Sequence, residues 1–273
     1  MDGHAEEVDE LVEVGSYTVP VSLVRDSSAE ILILWAIQQP TLSKPNTLVC
    51  QASLQLNIDA CGHRLCISQS PSSMSKPGVT GAVMWDSGVV LAKFLEHAVE
   101  SSTLLLHSKK VVELGSGCGL VGCVAALLGA QVVLTDMSDR LRLLRKNVEA
   151  NVPVHGARGS ATVHELVWGE DLDPDLTNPP PDYVLASDVI YSEGAVTDLL
   201  ATLRELCGMQ TTILLSGELR NDAILEHFLD LAIKDFVVGR VDQEHWHPDY
   251  RSTRVMLLVL VRKPEQTSDH PIF

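Results

Sequence analysis

The chain has 273 residues, of which 45% are hydrophobic and 21% are charged. This balance is typical of a folded protein with a substantial core and excludes an intrinsically disordered chain. The formal net charge of −16 argues against unaided binding of nucleic acid, which requires a basic surface. An acidic surface favours a basic partner such as a lysine-bearing protein segment, although the same charge can serve solubility alone.

The cysteines and the first residues of the chain indicate the compartment. None of the six cysteines forms a CxxC pair, and the chain opens on an acidic stretch rather than on a basic and then apolar secretory signal. We therefore expect a protein of a reducing compartment, cytoplasmic or also nuclear. The apolar run at residues 31–37 is far shorter than the roughly 20 residues that span a bilayer, so no membrane association is expected.

The first 80 residues contain short β-type runs separated by turn-forming residues. Residues 31–37 are predicted to form a buried strand. Residues 54–58 and 64–68 alternate apolar and polar side chains on either side of a glycine-containing turn, which predicts a hairpin. We therefore expect residues 1–80 to form a β-rich extension that packs on the domain following it.

From residue 81 the pattern changes to helices that alternate with apolar strands, beginning with an amphipathic helix at residues 87–99. This alternation predicts an α/β domain, in which helices cover both faces of a mostly parallel sheet. The last two strands follow each other without a helix, which permits an antiparallel pair at the end of the sheet. Seven strands are predicted at 111–114, 131–135, 161–167, 183–187, 211–215, 235–239 and 255–261, with helices between them at 120–128, 138–150, 195–206 and 222–232.

A glycine-rich loop follows the first of these seven strands and opens a helix. Glycine permits a tight turn and lets backbone amides approach a ligand closely. Gly117, Gly119 and Gly122 fit the GxGxxG pattern of enzymes that bind a dinucleotide such as NAD. Asp136 ends the next strand, where its carboxylate can accept hydrogen bonds from a ribose. Because S-adenosylmethionine and NAD both contain an adenosine ribose, Asp136 does not distinguish them.

Two other carboxylates favour S-adenosylmethionine. Glu113 lies immediately before the glycines, where it can hold the ammonium of an amino acid and would repel a pyrophosphate. Asp188 follows the fourth strand, next to the point of the sheet at which ligands of such folds bind. We therefore predict a methyltransferase, with a nicotinamide-dependent dehydrogenase as the alternative.

Six short motifs are spaced through residues 81–263. They are Gly-Ala-Val-Met-Trp-Asp at 81–86, Val-Glu-Leu-Gly-Ser-Gly-Cys-Gly at 112–119, Thr-Asp at 135–136, Val-Trp-Gly at 167–169, Ala-Ser-Asp-Val-Ile-Tyr at 186–191 and Tyr-Arg-Ser at 250–252. In this order they resemble the family-16 group of seven-β-strand methyltransferases, which includes protein-lysine methyltransferases. The resemblance implies a Rossmann-like, seven-stranded class I methyltransferase fold. We expect residues 81–264 to form this S-adenosylmethionine-binding domain and residues 265–273 to be a polar tail.

The resemblance also implies which residues bind the amino-acid end of the cofactor. Trp85 would pack against that end. The backbone of Gly115, Ser116 and Gly117 would line it, next to the carboxylate of Glu113.

The remaining site residues follow from the later motifs. The family pattern implies that Asp136 binds the ribose, that Trp168 contacts the adenine, and that Ser187 lies beside the bound cofactor. Ser187 stands where alanine is frequent in the family, which is a mild departure. Asp188 and Tyr191 match the DxxY motif associated with members that methylate protein lysine, and we expect them to be the catalytic residues. They would orient the neutral amine of the substrate by accepting its hydrogens.

The resemblance implies a protein substrate, such as a chaperone, an AAA ATPase or a translation factor, and a monomeric enzyme is the default. Methyl transfer to another acceptor (histidine or arginine in a protein, or a small molecule) is an alternative, as is an interaction protein that has lost catalysis. His245, His247 and Asp249 lie close together in the sequence, but displacement at a sulfonium requires no metal. We therefore expect no metal site.

Overall fold

An eight-stranded sheet is the centre of the protein, as seen in a computed structural model that describes residues 21–38, 47–75, 81–153 and 158–264. The strands are β1 (Ser22–Leu23), β2 (Gln55–Ala60), β3 (His63–Ser68), β4 (Lys110–Leu114), β5 (Gln131–Asp136), β6 (Ser160–Glu165), β7 (Tyr183–Ser187), β8 (Thr212–Glu218), β9 (Phe236–Arg240) and β10 (Val255–Arg262). The helices are α1 (Ser27–Gln38), α2 (Asp86–Glu100), α3 (Leu120–Leu127), α4 (Leu141–Asn151), α5 (Pro174–Thr177), α6 (Glu193–Leu206) and α7 (Asp222–Asp235). Each element predicted after residue 81 is present within three residues of its predicted bounds, and α5 is an addition.

The order of the strands in the central sheet is β1-β9-β10-β8-β7-β4-β5-β6. Strands β4 to β8 run parallel to one another, whereas β10 lies antiparallel between β8 and β9. The predicted antiparallel pair at the end of the chain is therefore confirmed. The sheet has eight strands rather than the predicted seven, because Ser22 and Leu23 add a short antiparallel strand beside β9. Two residues are too few to show a periodic pattern in the sequence.

Helices cover both faces of this sheet, as the alternation of strands and helices predicts. Successive residues of a strand point to opposite faces. In β7, Tyr183 and Leu185 pack with α2, α3 and α4, while Val184 and Ala186 pack with α6 and α7. All four side chains are buried, which explains why this strand is a continuous apolar run in the sequence.

Residues 31–37 belong to helix α1, so the predicted buried strand is wrong. Asp26 begins this helix, since its Oδ1 accepts a hydrogen bond of 2.8 Å from the Ala29 amide. Leu34 is buried, whereas Leu32 is 72% exposed. The helix is held on α7 and β9 partly by the ion pair between Glu30 and Arg240, whose N and O atoms are 2.7 Å apart.

The hairpin predicted in the N-terminal part is confirmed by β2 and β3, which pair from Gln55 opposite Ser68 to Ala60 opposite His63. Its turn residues, Cys61 and Gly62, both have positive φ, as a two-residue hairpin turn requires. Asn147 on α4 binds the backbone of Ser68 and so attaches the hairpin to the main domain. Residues 1–20, 39–46 and 76–80 of the predicted extension, and the predicted polar tail, lie outside the described residues.

Within the residue ranges that the structure describes, none of the helices is both long and apolar enough to cross a membrane.

Candidate functional site

A cavity of about 400 Å³ lies at the carboxyl ends of β4, β5 and β7. This is the edge of an open α/β sheet at which ligands bind, and the volume lies in the range of small-molecule sites. All of the site residues predicted from the sequence line this cavity. They are Trp85, Glu113, Gly115, Ser116, Gly117, Asp136, Trp168, Ser187, Asp188 and Tyr191.

The glycine loop between β4 and α3 forms one wall of the cavity. Gly115 and Gly117 have φ values of +64° and +53°, which L side chains rarely adopt. A Cβ on Gly115 would lie 3.0 Å from Cζ2 of Trp168, and one on Gly117 would lie 3.2 Å from the carbonyl oxygen of Gly81. A side chain at either position would therefore strain the backbone and press on Trp168 or on the backbone of Gly81.

Glu113 lies beneath the glycine loop and is almost fully buried. Its Oε2 accepts a hydrogen bond of 3.1 Å from the Gly122 amide, in the first turn of α3. Helix α3 begins after Gly119, which has no side chain to cap it, so the Glu113 carboxyl takes over this task. The sequence predicts a role for Glu113 toward the ligand, whereas this structural role becomes visible only in the folded protein.

Burial raises the pKa of Glu113 to about 8, although hydrogen bonds from Ser116 and Gly122 lower it. At neutral pH the carboxyl therefore mostly holds its proton while no cation is near. The expected repulsion between Glu113 and a pyrophosphate is correspondingly weak. The choice between S-adenosylmethionine and NAD must rest on other observations.

Asp136, at the end of β5, connects this strand to the glycine loop. Its Oδ2 accepts a hydrogen bond of 2.7 Å from the Gly117 amide, and its Oδ1 accepts one of 2.8 Å from the Met137 amide. Burial raises the pKa of this carboxyl, and the two amides lower it. A carboxylate has about four sites at which it can accept a hydrogen bond. Asp136 can therefore bind ribose hydroxyls while it holds the loop.

Two aromatic rings form another wall. The ring centroids of Trp168 and Tyr191 are 6.1 Å apart, with an angle of 40° between the ring planes. Trp168 is packed against the glycine loop at Gly115, and Tyr191 is 51% exposed at the rim. Burial of the remainder of Tyr191 raises the pKa of its hydroxyl, so this group stays protonated near neutral pH. Ser187 ends β7 and lies against the first turn of α2 at Gly88.

Asp188, which also lines the cavity, follows β7 and is held by neighbouring groups. It has a φ of +60°, a left-handed conformation that aspartate tolerates better than most residues. Its Oδ1 accepts a hydrogen bond of 3.2 Å from the Glu218 amide. Its Oδ2 forms an ion pair with the guanidinium of Arg220.

Arg220 and Glu218 were missed by the sequence analysis. The Arg220 guanidinium lies over the ring of Trp85, 4.0 Å from its centroid, and its Nε lies 3.2 Å from Oε2 of Glu218. Glu218 is the last residue of β8, the parallel neighbour of β7, and Arg220 follows it. Polar residues at the ends of adjacent parallel strands meet at one edge of the sheet. The position of Glu218 and Arg220 at the end of β8 was therefore the sequence feature that could have identified them.

Asp86, next to Trp85, attaches an earlier segment to the site. Its buried carboxylate accepts hydrogen bonds from three successive backbone amides, those of Thr47, Leu48 and Val49, at 2.7, 3.0 and 3.1 Å. Its own amide donates to Oε1 of Glu218 at 3.0 Å. Through these contacts of Asp86, the backbone next to Trp85 is attached both to the segment at 47–49 and to the end of β8.

His245, His247 and Asp249 do not converge on one point. Nδ1 of His247 accepts a hydrogen bond from the Asp249 amide, and its ring packs against His97 and Tyr250. The parts of the chain that the structure describes contain no group of three or more His, Cys, Asp or Glu side chains arranged to hold a metal ion.

A sequence model of the lysine methyltransferase family matches residues 66–234, which include the glycine loop, Asp136 and Asp188. The chain belongs to this family. The prediction of a methyltransferase rather than a dehydrogenase is therefore confirmed.

Curated members of this family are similar to the chain over most of its catalytic domain. Protein N-lysine methyltransferase METTL21A of Mus musculus is 44% identical over 169 residues, which is 62% of this chain and 72% of the relative. METTL21A of Danio rerio is 40% identical over 202 residues, covering 74% and 85%. EEF1A lysine methyltransferase 3 of Mus musculus is 39% identical over 168 residues, covering 62% and 67%.

The cavity of this lysine methyltransferase family member fits S-adenosylmethionine. The glycine loop leaves room for a ligand against its backbone, and the Asp136 carboxylate can accept hydrogen bonds from a ribose. Trp168 offers aromatic surface for an adenine ring.

Proposed function

We propose that this protein transfers a methyl group from S-adenosylmethionine to the side-chain amine of a lysine in a protein substrate. One observation carries the proposal: a single cavity brings together the glycine loop, the carboxylate of Asp136, and Asp188 and Tyr191 of the DxxY motif. The family to which the chain belongs supports the lysine acceptor.

Different residues of the cavity would bind different parts of the cofactor. Asp136 would bind the ribose hydroxyls, and Trp168 would contact the adenine. Glu113 and the backbone of the loop from Gly115 to Gly117 would bind the amino-acid end, with Trp85 packed against it. S-adenosylmethionine would supply an electrophilic methyl group on its sulfonium.

Asp188 and Tyr191 would act on the acceptor. The amine of a free lysine has a pKa of about 10.4 and cannot attack while it is protonated. The two side chains would accept hydrogen bonds from the neutral amine and hold its lone pair in line with the methyl carbon. In this kind of displacement, alignment is the main contribution of an enzyme.

We further propose a basic segment of a cytoplasmic protein as the substrate. The net charge of −16 would attract such a segment. One similar family member is named for its action on EEF1A, and a translation factor, a chaperone or an AAA ATPase would each be a suitable candidate.

The cofactor can be tested by calorimetric titration with S-adenosylmethionine and with NAD. The wild type should bind S-adenosylmethionine, and Asp136→Ala should weaken this binding by about tenfold or more, because a charge-assisted hydrogen bond is lost. Asp171→Ala, which removes an exposed carboxylate elsewhere, is the matched control and should bind as the wild type does. Binding of NAD alone would refute the proposal.

The acceptor can be tested by adding the protein and radiolabelled S-adenosylmethionine to cell extract and to purified EEF1A. Labelled bands are then hydrolysed to amino acids and separated. Label in methyl-lysine is the expected result. Label in methyl-histidine, methyl-arginine or a small molecule would refute the lysine assignment and leave the cofactor assignment intact.

A further inference from the structure

Arg220 connects three elements of the acceptor side of the cavity. Its guanidinium pairs with Oδ2 of Asp188, lies 3.2 Å from Oε2 of Glu218, and covers the ring of Trp85 at 4.0 Å from the centroid. Because Glu218 is almost fully buried and also binds Arg254, it provides a fixed anchor for the arginine. Arg220 is therefore held in contact with Asp188 by Glu218 and Trp85 as well as by the ion pair itself.

The charges that surround Asp188 come from several elements. Arg220 and Glu218 face it from the end of β8, and Tyr191 lies on the loop after its own strand. Behind Glu218 lie Arg254, from the segment before β10, and the amide of Asp86, from the start of α2. Arg220 is the cation in direct contact with the Asp188 carboxylate.

This contact matters for an amine acceptor because methyl transfer requires the neutral amine. An unpaired carboxylate beside an amine favours the ammonium and raises the pKa of the amine. A guanidinium on the same carboxylate offsets that attraction, and arginine retains its charge at all relevant pH values. The carboxylate can still accept a hydrogen bond, since each of its oxygens has a second acceptor site.

We propose that Arg220 is a positioning residue for the acceptor amine: it holds the Asp188 carboxylate in place and offsets its charge, so that an amine beside Asp188 binds in its neutral form. The inference rests on the proposed function and adds a residue to it. It assigns to Arg220 an electrostatic role at the acceptor position in addition to packing.

Two ligands distinguish an electrostatic role of Arg220 from a packing role, and this comparison needs no protein substrate. S-adenosylhomocysteine is the cofactor product without the methyl group. Sinefungin is an analogue that carries a primary amine in place of the methyl-bearing sulfonium, so it brings an ammonium close to Asp188. The measurement is the ratio of the two dissociation constants by calorimetry at pH 7 and at pH 10.

Arg220→Met removes the charge but keeps an apolar side chain over Trp85. We expect this variant to prefer sinefungin over S-adenosylhomocysteine about fivefold more than the wild type does at pH 7, because Asp188 then attracts the ammonium unopposed. The gain should disappear at pH 10, where the amine is mostly neutral. Arg220→Lys should keep the wild-type ratio, as should Arg145→Met, which removes an exposed arginine on α4.

An equal change for both ligands in Arg220→Met would overturn the inference, since a packing role affects them alike. If Arg220→Met binds neither ligand, the same ratio of dissociation constants is measured for Asp188→Asn. With the guanidinium retained and the carboxylate removed, the preference for sinefungin should fall about fivefold, and an unchanged ratio would again overturn the inference. Failure of the wild type to bind S-adenosylhomocysteine would instead refute the proposed function.

Discussion

The two sides of the cavity are built in different ways. The cofactor side consists of a glycine backbone and two carboxyls, those of Glu113 and Asp136, which bind amides of the loop itself. The acceptor side is built around Asp188 after β7, which is joined to Arg220 by an ion pair and to the Glu218 amide by a hydrogen bond at the end of β8.

This difference separates a rigid part of the site from an adjustable one. The amides of Gly117 and Gly122 are bound to Asp136 and Glu113, which belong to strands of the sheet beneath the loop. The acceptor side is partly open to solvent, with 38% of the Arg220 side chain exposed. A substitution there can alter the acceptor chemistry while the cofactor still binds, and the four predictions below test this separation.

The largest effect is expected from Asp188→Asn, which changes the acceptor side alone. Asparagine keeps the shape of the side chain and tolerates the left-handed backbone. Methyl transfer into the labelled protein should fall about 100-fold, because the amine loses its orienting carboxylate. Affinity for S-adenosylmethionine should stay within about twofold. A parallel loss of cofactor affinity would show that the two sides are not separable.

Gly122→Ala tests the rigidity of the cofactor side. A Cβ at this position would lie 2.4 Å from Cδ2 of Leu134 and 2.5 Å from Oε2 of Glu113. We expect the free energy of unfolding to fall by about 2–3 kcal/mol, the cost of overpacking a dense core. Chemical denaturation measures it. Gly194→Ala is the matched control, since nothing lies within 4 Å of its Cβ, and it should not destabilise the protein.

Glu113→Gln tests the buried carboxyl through pH. The pKa of Glu113 is about 8 in the folded protein and near its ordinary value of 4.5 in the unfolded chain. The folded state therefore holds the proton more tightly, and wild-type stability should decrease as the pH rises from 4.5 to 8. Glutamine cannot ionise, so the variant should gain stability relative to the wild type across this interval.

Thermal unfolding at pH 5 and at pH 8 measures this difference. Glu149→Gln, on the exposed face of α4, provides the control and should follow the wild type at both values. A constant difference between Glu113→Gln and the wild type would contradict the raised pKa.

The smallest effect is expected from Tyr191→Phe. Tyr191 is half exposed, and removal of one hydroxyl that binds the amine should slow methyl transfer about three- to tenfold, the value of a single hydrogen bond. Stability and cofactor affinity should not change. Turnover equal to that of the wild type would limit the role of Tyr191 to its ring, which packs near Trp168.

The fold after residue 81 could be predicted because each strand and helix carries its own periodic pattern. Helix α1 could not, since a short apolar run fits a strand and a helix equally well. Its helical state depends on the cap at Asp26 and on contacts with α7 and β9 that are about 200 residues away in the chain.

The candidate site divides in the same way. Residues in contiguous motifs, such as the glycine loop and Asp188 to Tyr191, were identified from the sequence and all line one cavity. Arg220 was not, because its importance comes from a pairing between the ends of two strands. The raised pKa of Glu113 could not be predicted from the sequence either, since it depends on how completely helix α3 and the glycine loop exclude water from the carboxyl.

The contact between Asp86 and residues 47–49 fixes a path of the backbone more than a set of side chains. The carboxylate accepts hydrogen bonds from three main-chain amides, which every residue type except proline supplies, and from the hydroxyl of Thr47. Substitution of the exposed Thr47 by a residue other than proline therefore removes one hydroxyl donor and leaves the three amide donors beside Trp85 in place. Proline at 47, 48 or 49 is the change that removes an amide donor and loosens this attachment.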